Sequence, residues 1–242
     1  IITREEIERE ANKTITSILR SVPGLNVSSA GGSTTQIRMR GGEGNHTLVL
    51  IDGVEATGGD GEYFFSGLSA SHVERIEIMR GPQTVFFGPS ASSGVINIIT
   101  RSAEEKPMTT VEVGIGDTET LGFSKSFSLG STQNFLSGSV EKNKGYDYSY
   151  SNGDKDGSER NTFNWKMSHN TDANAKISLN LRTAHEKYDF DDVVSWPASA
   201  TSHLDYVVDS NDTGTRDESQ ASLKIDKSFT ENLSSHQIGS VS

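Results

Sequence analysis

Carboxylates crowd two stretches of this sequence that otherwise read as loops. Asp189-Phe190-Asp191-Asp192 opens the longer one, with Asp205 and Asp209 further along, and Asp154 and Asp156 lie in the one before it. Clustered carboxylates and loop carbonyls are the hard oxygen donors that Ca²⁺ gathers around itself. Asp189, Asp191, Asp192 and Asp209 are therefore candidate calcium ligands, although no EF-hand spacing is present and a solvated acidic loop explains the same residues. A second set is made of guanidinium groups, Arg38 and Arg40 on one stretch and Arg75 and Arg80 on another. Arg40-Gly41 and Arg80-Gly81 each put an arginine where a strand meets a glycine turn. A guanidinium there can pair bidentately with a carboxylate on a second surface, the plainer reading being a solvated strand end. A third set sits in two glycine-rich loops. Residues 30–35 are free of charge and offer Ser33 and Thr34, while Tyr63, Phe64 and Phe65 give the other loop an aromatic tip that can pack on a ligand or anchor the loop.

Catalytic patterns are missing from the sequence. There is no GxSxG elbow, no HExxH and no phosphate loop ending in Gly-Lys-Ser or Gly-Lys-Thr. His46, His72, His169, His185, His203 and His236 show no ligand-like spacing, and Ser90, Ser92 and Ser93 have no evident base. With no cysteine, thiolate chemistry and disulfides are excluded. The expectation is a protein that is not an enzyme and needs no cofactor for chemistry, with structural Ca²⁺ as the single candidate ion. A net charge of −11 argues against nucleic acid as a partner.

The elements that must position these groups fall into two parts. Residues 73–101 organise the first. Val73, Ile76 and Ile78 alternate with charged residues as in a half-buried strand, Gly81-Pro82 stops it, and residues 95–99 are apolar and β-branched enough to be buried on both faces. Ahead of them, Thr3-Arg4-Glu5-Glu6 is a capping box for a short helix ending near Ala11. A second helix spans 14–20, and strands follow at 25–28, 36–40 and 47–51, the last ended by the Asp52-Gly53 turn signal. Residues 1–102 thus read as an α+β domain, and the polar linker closed by Pro107 leads to a second part, residues 103–242.

Beyond the linker the period is two. Phe163, Trp165 and Met167 face one way while Asn164, Lys166 and Ser168 face the other, and Ile177, Leu179 and Leu181 repeat the pattern. The connections alternate in length: 130–133, 170–174 and 230–232 are short, whereas 143–161 and 188–218 are long. Short turns at one end and long loops at the other distinguish a transmembrane up-and-down barrel from a soluble sandwich. The opposite faces, with Lys176, Ser178, Asn180, Arg182, Lys224 and Asp226, suit a wet lumen. No apolar run approaches the ~20 residues of a spanning helix, whereas ~10 alternating residues suffice for a barrel strand. Six strands and the start of a seventh do not close a barrel, and the chain opens at Ile1 without a signal segment. Truncation at both ends is expected.

Four ordered motifs carry a resemblance. Pro23-Gly24-Leu25, Ile37-Arg38-Met39-Arg40-Gly41, Leu48-Val49-Leu50-Ile51-Asp52-Gly53-Val54 and the 73–101 stretch resemble, in order and spacing, the plug domain of TonB-dependent outer-membrane receptors. The likeness covers nearly all of residues 1–102. It implies an α+β plug followed by the first antiparallel strands of a transmembrane β-barrel, about 22-stranded when complete. It further implies energy-coupled uptake of a scarce, bulky nutrient across the outer membrane of a Gram-negative bacterium, without chemistry on the ligand. The partners implied are outer-membrane lipid, the nutrient, and TonB acting through a box that lies outside these residues. Arg40 and Arg80 would pair with barrel-wall glutamates. Ligand would sit on the plug apices, near Ser33, Thr34, Tyr63, Phe64 and Phe65, and on long loops. Gly145-Tyr146-Asp147 and the Tyr188-Asp189 run are similar to the cobalamin-receptor branch, whose acidic loops order around calcium; ferric siderophore receptors are the runner-up. A surface or periplasmic β-rich binding or adhesion protein that reuses a plug-like domain, without transport, is the alternative class.

Overall fold

The computed structural model describes residues 1–9, 14–30, 34–56, 62–65, 68–102, 107–147, 153–171, 175–193, 207–230 and 233–241. It opens with the expected cap. The Thr3 backbone N–H donates to Glu6 Oε2 at 2.7 Å and the Glu6 N–H returns to Thr3 Oγ1 at 3.4 Å, starting α1 (Arg4–Arg9). The expected end of this helix near Ala11 lies outside the described residues. Thr14 caps α2 (Ile15–Arg20) by accepting the Ser17 N–H at 3.2 Å. Both helices are too short to stand alone, and they hold through the apolar faces of Ile7, Ile15, Ile18 and Leu19, all buried.

The strands β1 (Leu25–Ala30) and β2 (Thr34–Met39) pair antiparallel, with Leu25 opposite Met39. Next come β3 (Thr47–Ile51), β4 (Val54–Glu55), β5 (Glu62–Phe64) and β6 (Val73–Arg80), then the single helical turn α3 (Thr84–Phe87) and β7 (Gly94–Thr100). They form two sheets, β1-β2-β5 and β4-β3-β7-β6, the second mixed because β3 and β7 run parallel. Ile37, Met39, Val49, Ile51, Ile76, Ile96 and Ile98 fill the space between the sheets and the helices. Val95 leaves the other face of β7 for a smaller cluster with Leu48, Leu50 and Ala91, so this strand is buried on both sides, as its composition predicts.

The second part is one seven-stranded sheet in sequential order. It comprises β8 (Met108–Gly114), β9 (Thr118–Leu129), β10 (Thr132–Tyr146), β11 (Asp156–Asn170), β12 (Ala175–Val193), β13 (Val207–Thr230) and β14 (Leu233–Val241). Its two faces differ in character, with Lys125 and Asn134 among the polar residues on the largely apolar one. Val111, Val113, Leu121, Phe123, Leu129, Val140, Phe163 and Leu223 are exposed on one, whereas Ser124, Ser137, Asn164, Arg182 and Gln220 form one buried cross-strand row on the other. The N-terminal domain lies against this polar face. The strands overrun the expected loop boundaries: β12 reaches Val193 and β13 starts at Val207, where a loop from 188 to 218 was expected. Above the apolar band neither face needs to be hydrophobic, so the alternation that marks a strand fades while the backbone ladder continues.

Candidate functional site

The surface where the N-terminal domain meets the wall is built around a turn. Asp52 occupies the β3–β4 corner with φ of 53°, a left-handed conformation that aspartate tolerates better than most residues. Its carboxylate accepts the Thr100 backbone N–H at 2.9 Å and the Thr100 hydroxyl at 2.7 Å, tying the turn to the end of β7. The same carboxylate also accepts the Lys166 ammonium of β11 at 2.8 Å and the Asn180 amide of β12 at 3.1 Å. Lys166 donates in addition to the Thr100 carbonyl at 3.1 Å. One residue further on, the Arg101 guanidinium lies 5.5 Å from the centre of the Phe135 ring on β10.

His72, just before β6, contacts Asn164 of β11 at 3.4 Å and is buried. Burial, then the charges of Arg101 and Arg4, hold its imidazole down at about 4, so it is neutral and accepts the Asn164 amide. The sequence reading took Asp52 only as a turn signal and Lys166 and Asn180 as lumen wetting. The available signal was an aspartate, where glycine or asparagine would serve the turn, facing a wall that carries lysine.

Higher on the wall a charge ladder crosses four strands. Arg160 reaches Glu186 at 2.6 Å and Glu141 at 3.4 Å, and Arg216 reaches the other oxygen of Glu186 at 3.6 Å. Glu186 is 1% exposed, so this pairing compensates a charge that burial alone would expel. Arg182 and Glu218 pair one row below. A cavity of about 650 Å³ separates this ladder from Arg4, Glu8, His72 and Arg101 of the N-terminal domain.

At the long-loop end, Asp147, Asp191 and Asp209 converge, each with a carboxylate oxygen within 4.8 Å of the others. Asp191 Oδ1 accepts the Ser210 N–H at 3.2 Å, and Asp209 Oδ1 accepts the Asp154 N–H at 3.2 Å. Asp209 lies far beyond the apolar band of β13, and its carboxyl is raised above the ordinary range by desolvation and by the charges of Asp154 and Asp191. Oxygens at this separation fit around one cation with Ca²⁺–oxygen distances of about 2.3–2.6 Å. Asp191 and Asp209 are thus brought together, with Asp147 added; the Asp189 carboxylate turns towards Gly157, and the Asp192 side chain lies outside the described residues. Asp147 directly follows β10 at the same end of the wall, which strand pairing explains and sequence distance hides.

Of the two readings of the aromatic loop, Tyr63 and Phe65 take the anchoring one. Tyr63 is 6% exposed, and its hydroxyl donates to the Thr47 carbonyl; burial, with the Glu55 charge, pushes that hydroxyl up to about 12. Phe65 is 6% exposed and joins the same core. These two rings anchor the loop instead of forming an exposed tip, because β5 pairs with β2 and turns them under the sheet. Phe64 and Thr34 face each other across that pair, their side chains outside the described residues, as is Ser33. Arg40 is exposed in a left-handed turn with φ of 52°, and Arg80 is exposed and donates to the Pro23 carbonyl at 3.3 Å.

Comparison with known proteins follows these two parts. Residues 1–95 match the TonB-dependent Receptor Plug Domain family. Over 240 residues, 95% of its length, the chain is 30% identical to the vitamin B12 transporter BtuB of Vibrio cholerae serotype O1, of which it covers 36%. The corresponding transporter of Vibrio vulnificus is 33% identical over 144 residues, 59% of this chain and 23% of that protein. The chain thus spans about a third or less of these relatives. Among solved structures, the ferric yersiniabactin uptake receptor FyuA of Yersinia pestis superposes with a TM-score of 0.80 at 19% identity, covering 99% of this chain and 39% of that one. The ferric enterobactin receptor of Pseudomonas aeruginosa gives 0.74 at 19%, covering 98% and 39%. At such identity these two show the fold.

Proposed function

We propose that the chain, whose residues 1–95 match the TonB-dependent receptor plug family and which is 30% identical over 240 residues to a vitamin B12 transporter, forms the plug and first barrel strands of a Gram-negative outer-membrane receptor for energy-coupled uptake of cobalamin. The observation that carries the reading is a plug-like domain gripped by the polar face of a strand wall whose opposite face is apolar. A wall with one greasy and one wet face is what a lipid-embedded barrel with a filled lumen requires. Ligand binds at the long-loop end, and TonB, engaging a segment outside these residues, remodels the plug. The receptor does no chemistry on its cargo. Arg40 and Arg80 pair with carboxylates of wall strands beyond those present here. Cobalamin is favoured over a ferric siderophore by the sequence relatives and by the acidic cluster, in which Asp147, Asp191 and Asp209 hold Ca²⁺ and stiffen the loops before ligand arrives.

The test is binding of cobalamin to the purified full-length receptor with calcium or with chelator. Affinity should fall at least tenfold on chelation, and Asp191→Ala with Asp209→Ala should reproduce that loss in calcium. An unchanged, calcium-dependent affinity in the variant would remove the ion from these residues. Binding of a ferric siderophore in place of cobalamin would keep the receptor class and move it to the other branch.

A further inference from the structure

Asp52 is placed and partnered as a fastening. We infer that Asp52 and Lys166 are a positioning pair that clasps the plug's four-stranded sheet to the barrel wall at the point where the chain passes from one to the other; this rests on the plug-and-barrel reading above. Each carboxylate oxygen takes one donor from each side. Oδ1 accepts the Thr100 N–H and the Lys166 ammonium, and Oδ2 accepts the Thr100 hydroxyl and the Asn180 amide. The two charged side chains are 14% and 15% exposed, so neither is well hydrated without the other. A turn at φ of 53° would be served at lower backbone cost by glycine. Keeping aspartate there is explained by what its carboxylate holds.

The location gives the pair its consequence. Thr100 is the last residue of β7, β7 pairs in parallel with β3, and Asp52 follows β3 directly. Both central strands of the sheet therefore end on one carboxylate that is bound to β11 and β12. While the clasp is closed these strands stay with the wall, and any opening of the lumen has to begin in other parts of the plug.

These 242 residues hold no cysteine, and any cysteine elsewhere in the full-length receptor is first replaced by serine. Ser168, 6% exposed, lies on the lumen side of β11 two residues from Lys166, so Ser168→Cys places a single thiol beside the clasp. In the full-length receptor in outer membranes, Lys166→Met and Asp52→Asn should each raise its labelling by a water-soluble maleimide at least tenfold. The double variant should exceed neither single by more than about twofold, as expected for two halves of one interaction. Lys166→Arg, which keeps the charge, should restore protection. Heat-modifiable migration of each variant separates loss of the clasp from loss of the barrel. If Lys166→Met does not fold, Asn180→Ala carries the test with a several-fold rise. Unchanged labelling in the folded variants, or effects that multiply in the double, would overturn the clasp; a product that is soluble and never heat-modifiable would instead overturn the receptor reading.

Discussion

Buried between its own domain and the wall, the His72 imidazole is held at about 4 by desolvation and by Arg101 and Arg4, against 6.5 in an unfolded chain. The unfolded state therefore binds the extra proton between these values, and stability declines as pH falls from 6.5 towards 4, with no further loss from this group below. The full difference is about 3 kcal/mol. Urea unfolding of the plug within the intact receptor should show this fall between pH 7 and pH 4, and His72→Gln, which still offers Asn164 an acceptor, should remove most of it. Equal pH dependence in both proteins would mean that His72 is charged or hydrated in the folded state. Single residues were the least legible part of the sequence. His72 looked like any of six scattered histidines, and Asp52 looked like a turn, because each takes its role from a wall residue some hundred positions away. The aromatic loop left two readings open, a ligand-packing tip or an anchor, and pairing with β2 folds the Tyr63 and Phe65 rings inward as anchors.

Elements were read more faithfully, since their signals are local. The capping box at Thr3, the second helix, the both-face burial of β7 and the alternation in the wall depend on neighbours within a few residues. Boundaries failed where the driving force changes, as at the upper ends of β12 and β13. The crossing between β6 and β7 shows how tightly one element fixes another. Gly94 begins β7 with φ of 153°, and a Cβ there would lie 2.4 Å from both Met39 Sδ and the Met79 carbonyl oxygen. The methionine can move; the strand carbonyl cannot without breaking the β6–β7 ladder. Gly94→Ala should destabilise the plug by on the order of 3 kcal/mol, combining overpacking with an unfavourable backbone angle. The urea midpoint of the plug should drop while heat-modifiability of the barrel is kept. A plug of unchanged stability would show that β7 enters the sheet along a different path.

At the scale of the molecule, the question is what the exposed apolar face of the wall touches. Val111, Val113, Leu121, Phe123, Val140 and Phe163 stand outward across four adjacent strands, with the polar residues of the same strands turned under the plug. A water-soluble binding or adhesion protein would have to cover such a face or aggregate through it. In a lipid-embedded barrel it is the contact with hydrocarbon. One substitution separates the two. Phe123 is half exposed on this face, next to Val111 and opposite Gly138. In lipid, Phe123→Arg should destabilise the folded barrel by about 2–4 kcal/mol, as a guanidinium facing hydrocarbon does. On a surface in water the same change should stay within about 0.5 kcal/mol. Urea titration of the full-length protein in phospholipid vesicles, read by heat-modifiable migration, measures the difference directly. A large loss places this face in the bilayer, and a negligible one would put water or another protein against it and return the adhesion reading to first place.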